Sequence, residues 1–164
     1  MKIYIVNGMP TSGKTTFEQF SASYIGTEKC KIISTIDCVK MVAKICGWKG
    51  EKDSKSRKFL SDLKDLLTNY NDLPFEYINK EINKSAQDTT FFIDCREPDE
   101  IERLRDALKA KTILIRRSDI ENINWDNHAD SEVLNYNYDY IVENNGTLQD
   151  LAECVYTLAQ EEQW

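Results

Sequence analysis

The sequence predicts an α/β fold: a five-stranded parallel sheet with helices on both faces and a small helical insertion at one end. Three observations lead there. Short β-forming apolar runs alternate with segments of helical periodicity. The stretch from Ile36 to Ser85 interrupts that alternation with helical patterns and no strand. The first apolar run passes through a glycine-containing loop straight into a helical pattern.

The elements follow in chain order. Lys2–Asn7 is predicted as a buried strand, because Ile3, Tyr4, Ile5 and Val6 are β-formers and Asn7-Gly8 ends the run. Gly13 to about Tyr24 reads as a helix, with Phe17, Phe20 and Tyr24 spaced along one face. Lys31–Thr35 is the second strand. Val39, Val42, Ala43 and Cys46 make a helix that stops at Gly47. The charged run Gly50–Lys58 leads into Phe59, Leu60, Leu63, Leu66 and Leu67, an amphipathic helix, and Pro74 opens another through about Ser85. Thr89–Cys95 is the third strand, Pro98–Leu108 a helix, and Thr112–Ile115 the fourth strand. Ser118–Asn127 reads as loop, His128 to about Tyr136 as a short helix and Tyr140–Val142 as the fifth strand. Asn144-Asn145-Gly146 then turns into a helix from Thr147, with Leu148, Leu151, Val155 and Leu158 predicted to face inward.

The 164 residues fit a single domain, 1–164, and 41% hydrophobic residues are enough for a core. The formal net charge is -7, but it is unevenly spread. Residues 1–50 hold seven Lys/Arg against three Asp/Glu, whereas 91–164 hold seven against seventeen. An anionic ligand therefore belongs in the amino-terminal third. An acidic chain without a basic stripe is not expected to bind nucleic acid. No apolar run approaches the roughly 18 residues a membrane span requires, and no membrane partner is expected. Five cysteines, odd in number and without a C-x-x-C, read as reduced thiols and a cytoplasmic location. Oligomeric state is left open.

Gly8-Met9-Pro10-Thr11-Ser12-Gly13-Lys14-Thr15 matches G-x-x-x-x-G-K-[ST], between a strand and a helix as that pattern requires. Such a loop aims successive backbone N–H groups at a phosphate, and the helix start adds its positive dipole end. The expected nucleotide contacts are Gly8, Pro10, Thr11, Ser12, Gly13, Lys14, Thr15 and Thr16. In this chemistry Lys14 reaches the β- and γ-phosphates of ATP and Thr15 offers a hydroxyl to Mg²⁺. The predicted fold is accordingly a P-loop NTPase three-layer sandwich.

Asp94 closes the third strand as a Walker B-like carboxylate, able either to hold Mg²⁺ or to cap a turn. Arg96, Arg116 and Arg117 follow the third and fourth strands and should emerge at the same sheet edge as the loop, as cations for a transferring phosphate or as surface ion pairs. In the insertion, Arg57 reads as either a substrate contact or part of a solvated face. Asp37 reads a second substrate or caps the following helix. His128 has no spaced companion for a metal site and is read as a helix-start residue near the nucleotide.

These features resemble the nucleoside monophosphate kinases. The segments Ile93–Glu100, Ile113–Arg117, Asn127–Glu132 and Asp139–Leu151 are similar to a bacteriophage-type deoxynucleoside monophosphate kinase branch. The resemblance implies transfer of the ATP γ-phosphoryl group to a nucleoside or deoxynucleoside monophosphate with Mg²⁺. It also implies a substrate-clasping insertion at about 38–86 and a short lid at about 117–137. By the same resemblance, Arg96 orients the acceptor phosphate and Arg116 or Arg117 stabilises the moving group. Asn144–Thr147, with Asn145 and Gly146 as contacts, flank the adenine. Two other functions fit the same sequence: a kinase for another small metabolite, and a nucleotide-binding regulatory or assembly protein with little turnover.

Overall fold

The computed structural model describes residues 1–120 and 133–164. Five strands, β1 (Lys2–Asn7), β2 (Cys30–Ser34), β3 (Thr90–Asp94), β4 (Lys111–Arg116) and β5 (Tyr140–Glu143), form one sheet in the order β2-β3-β1-β4-β5. The recorded pairings are parallel, with Val6 opposite Asp94, Asn7 opposite Leu114 and Arg116 opposite Glu143. The helices are α1 (Lys14–Ile25), α2 (Asp37–Ile45), α3 (Ser54–Asn71), α4 (Leu73–Asn83), α5 (Pro98–Leu108) and α6 (Leu148–Glu162). The chain divides into two compact units, one of Met1–Ile32 with Ala86–Trp164 and one of Ile33–Ser85.

In the first unit, strand alternation sorts side chains to the two sheet faces. Tyr4, Val6, Phe92, Ile113, Ile115 and Val142 point to one face and pack with Phe17 of α1 and Leu151, Val155 and Leu158 of α6. Ile5, Phe91 and Ile93 alternate with them and point the other way. α5 contacts β1 and β4, and its Ile101 and Leu104 are fully buried. Each such aliphatic or aromatic side chain contributes about 1.5–3 kcal/mol by leaving water. Rings extend the first face: Phe92 stacks on Tyr4 at 5.4 Å between centroids and meets Phe17 and Trp164 edge-on.

Polar groups fix α6 at both ends. Thr147 and Asp150 form a reciprocal capping box at its start. At its end the Glu162 carboxylate accepts hydrogen bonds from Tyr4 (2.8 Å), Lys111 (2.6 Å) and Tyr140. Burial opposes ionisation of Glu162, but these donors outweigh it and hold the carboxyl below its ordinary value.

The second unit contains α2, α3 and α4, which contact one another. Asp53 caps α3 by accepting the Ser56 N–H at 2.7 Å, and Pro74 sits in the first turn of α4. Val39, Ala43 and Ile78 are fully buried, whereas α3 has no buried residue.

The structure corrects one detail. Leu148 does not face inward: it is 67% exposed, because the first residue of α6 precedes the turn that reaches the sheet. Ser118–Ile120 and Val133–Asn135 are single 3-10 turns. Most of the expected 117–137 lid, its 118–127 loop, His128 and most of the 128–136 helix lie outside the described residues.

Candidate active site

β1 runs into the glycine loop and α1 leaves it, so the loop sits where the central strand ends. The chain turns sharply there: Thr11 has φ +66° and Gly13 φ +102°, while the Ser12 N–H donates to Met9 O at 3.1 Å. Gly13 is required by both backbone and space. Its left-handed φ disfavours a side chain, and a Cβ would overlap Asn144 Nδ2, which donates to Ser12 O at 2.8 Å. A Cβ on Gly8 would come within 2.5 Å of Ile115 O and 2.6 Å of Ser12 Oγ. The loop is thus a tight curve held from behind by Asn144.

Two groups prepare this curve for an anion. Ser12 is buried and its Oγ has no hydrogen-bond partner among the described residues. The Lys14 ammonium folds over the loop and donates to Gly8 O at 2.5 Å and Met9 O at 3.1 Å. Thr15 is exposed and Thr16 half-buried in the first turn of α1; Pro10 is half-buried and Thr11 exposed. An orphaned hydroxyl, a glycine cradle, a helix start and a flexible cation fit the phosphates of ATP. Thr15 at the helix start and Asp94 on the neighbouring strand offer the hard oxygen ligands that suit Mg²⁺.

The parallel topology brings further cations to this edge of the sheet. Arg96 follows β3 and is exposed; Arg116 ends β4, is half-buried and lies 3.5 Å from Glu143; Arg117 is exposed. On the same unit, Asn145 Oδ1 accepts the Ser118 N–H at 2.8 Å, and exposed Gly146 precedes the α6 cap. The other two candidates belong to the second unit. Asp37 begins α2 and accepts the Ser34 N–H of β2 at 2.8 Å, a bond between strand end and helix start that caps no helix N–H. Arg57 is exposed on the first turn of α3.

Sequence reading passed over Glu18, one helical turn beyond Lys14. Glu18 is 2% exposed, and its Oε1 has no hydrogen-bond partner among the described residues. Burial first, then the negative charge of Asp94, push its carboxyl up to about 8 against the opposing pull of Lys14. A clue was present: an acidic residue between Phe17 and Phe20 on a helix that buries its apolar face. Cys30, close enough to feel Glu18, has its thiol pushed up to about 11 by burial and then by that carboxylate, so it stays protonated and unreactive.

The sign of the Glu18 effect is definite. The folded value lies above the ordinary 4.5, so between those limits the folded state binds more protons than the unfolded one. This contribution to stability is present at acid pH and is lost as pH rises through about 8. Glu18→Gln in nucleotide-free protein is expected to be more stable than wild type at pH 8 by about 1–3 kcal/mol, a Tm increase of roughly 3–10 °C. The difference should shrink toward pH 5. Thermal denaturation of both proteins across that range is the check, and parallel curves would contradict it.

The sequence matches no protein-family model and no curated protein. Solved structures do match over nearly the whole chain. Thymidylate kinase from Ehrlichia chaffeensis aligns with TM-score 0.57 and 16% identity, covering 99% of this chain and 98% of that one. Dephospho-CoA kinase from Campylobacter jejuni aligns with TM-score 0.54 and 17% identity, covering 98% and 96%. Shikimate kinase from Aquifex aeolicus vf5 gives TM-score 0.54 and 15% identity, covering 99% and 98%. What these likenesses share is the architecture, and by that measure the chain has the fold of the P-loop kinases.

Proposed function

We propose that this protein is an ATP-dependent phosphotransferase whose acceptor is a nucleoside or deoxynucleoside monophosphate. The observation that carries the reading is the shaped loop at Gly8–Thr15, with its orphaned Ser12 hydroxyl and the Lys14 ammonium folded over it, on the sheet edge where Arg96, Arg116 and Arg117 emerge. A module that only binds nucleotide needs Lys14 but has little use for three further arginines at that edge.

In this reading the loop N–H groups and Ser12 hold the phosphates of ATP. The Lys14 ammonium exchanges its bonds to Gly8 O and Met9 O for phosphate oxygens. Mg²⁺, held by Thr15 and Asp94, would neutralise charge between the phosphates. Arg96 orients the acceptor phosphate, and Arg116 or Arg117 stabilises the transferring group. Asn145 and Gly146 border the adenine. The 38–86 insertion, with Asp37 and Arg57, clasps the monophosphate, and the 117–137 segment closes as a lid that excludes water. The acceptor oxygen is already anionic, so no carboxylate base is needed.

A second reading, a kinase for another small metabolite, rests on the likeness to shikimate kinase and dephospho-CoA kinase. A hydroxyl acceptor would require a general base, and Asp37 is the carboxylate available for it. The deciding experiment incubates the protein with ATP-Mg and a panel of nucleoside and deoxynucleoside monophosphates, with ADP release as the readout. The expected result is acceptor-dependent turnover of about 1–100 s⁻¹ with at least one of them. Turnover only with a hydroxyl compound supports the metabolite reading. Nucleotide binding with no turnover on any acceptor supports a regulatory role.

A further inference from the structure

Asn7, the last residue of β1, is fully buried and spends its whole amide on three segments of the first unit. Its Oδ1 accepts the N–H of Gly8, the first residue of the phosphate loop, at 2.8 Å. Its Nδ2 donates to the backbone carbonyl of Arg96 at 3.2 Å and to the Tyr138 hydroxyl at 2.7 Å. The Tyr138 hydroxyl passes the connection on by donating to Val133 O at 2.9 Å.

Every polar atom in this chain of bonds has a defined direction. A phenol has a single proton, so donating it to Val133 leaves a lone pair for the amide of Asn7. Burial pushes ionisation of Tyr138 well above the ordinary range, so that proton stays in place. A Phe at 138 would fill nearly the same space; only the hydroxyl makes the link. Tyr138 also precedes β5, so the link joins the residues ahead of that strand to the loop.

We infer that Asn7 and Tyr138 are positioning residues: they hold the Arg96 backbone in register with the phosphate loop and tie both to residues 133–138. The inference rests on the phosphotransferase reading, in which Arg96 touches the acceptor. Neither residue contacts a phosphate; both act through groups that do. Ordering of the loop by nucleotide thereby also orders the Arg96 connection and the 133–138 segment.

The test uses full-length protein and Tyr138→Phe. The Gly8 bond to Asn7 survives this change, so affinity for ADP with Mg²⁺ should stay within about twofold of wild type. Asn7 keeps its bond to the Arg96 carbonyl but its amide loses the anchor on residues 133–138, so that carbonyl is held less firmly and kcat/KM for the monophosphate should fall about tenfold, mainly through its KM. In an Arg96→Ala background the same change should cost less than about twofold, because the two residues act through one group. A lowered Tm with unchanged kinetic constants, or fully additive losses in the double variant, would overturn the inference.

Amide hydrogen exchange on wild type gives a readout independent of turnover. ADP with Mg²⁺ should slow exchange at 95–97 and at 133–138, and in Tyr138→Phe the second effect should be lost. Bound ADP that leaves 133–138 unprotected in wild type sinks the link, even if the variant does not fold. Protection there in a protein that accepts no monophosphate preserves the link and removes the acceptor assignment instead.

Discussion

Replacing Lys14 with Ala is expected to cut phosphoryl transfer by about a thousandfold and to weaken ATP binding by roughly 10–100-fold. Lys14 is the cation on the loop itself, and no backbone N–H can supply a full positive charge to the β- and γ-phosphates. The loss should not come from unfolding. The ammonium's bonds to Gly8 O and Met9 O are made at a half-buried, water-accessible place, so their removal should cost about 1 kcal/mol or less. Titration with ATP, ADP release and a melting curve separate the two effects. An affinity within threefold of wild type would remove the phosphate-loop assignment and every role attached to it.

Arg96→Ala should do something different. The Arg96 side chain is exposed beyond β3, and the bond that links the residue to Asn7 is made by its backbone carbonyl, which Ala retains, so ATP affinity is expected to stay within about twofold. Transfer to the monophosphate should fall by about a hundredfold, shared between a higher acceptor KM and a lower kcat. Arg96→Lys should recover only part of this, because an ammonium cannot reproduce the planar two-pronged contact with a phosphate. A coupled kinase assay in which Arg96→Ala matches wild type would show that the acceptor lies elsewhere.

Much of the architecture is legible in the sequence, for identifiable reasons. β1, β3 and β4 are nearly uninterrupted runs of β-branched and aromatic residues, as strands covered on both faces must be. Helix starts are marked in the sequence by Pro74, Pro98 and the Asn144-Asn145-Gly146 turn. Leu148 was misplaced because helical spacing identifies a face but not the point where the helix meets the sheet.

In the site, the loop was legible because glycine spacing reports local backbone geometry. Glu18, Asn7 and Tyr138 were not, because their importance arises from contacts between distant segments. Asn7 reads as the end of a strand until Arg96 and Tyr138 are seen around it. Tyr138 reads as one of three alternating tyrosines until its hydroxyl is found between Asn7 and Val133.

The strand order places β1 at the centre of the sheet, between partners at Thr90–Asp94 and Lys111–Leu114 that are both made after it. The helices of Ile33–Ser85 are synthesised before either partner and have contacts among themselves. Assembly of this sheet is therefore dominated by long loop closures, which places it among slower-folding topologies. A nascent or truncated chain ending before Thr90 leaves Ile3-Tyr4-Ile5-Val6 with both backbone edges bare, a template for aggregation between chains.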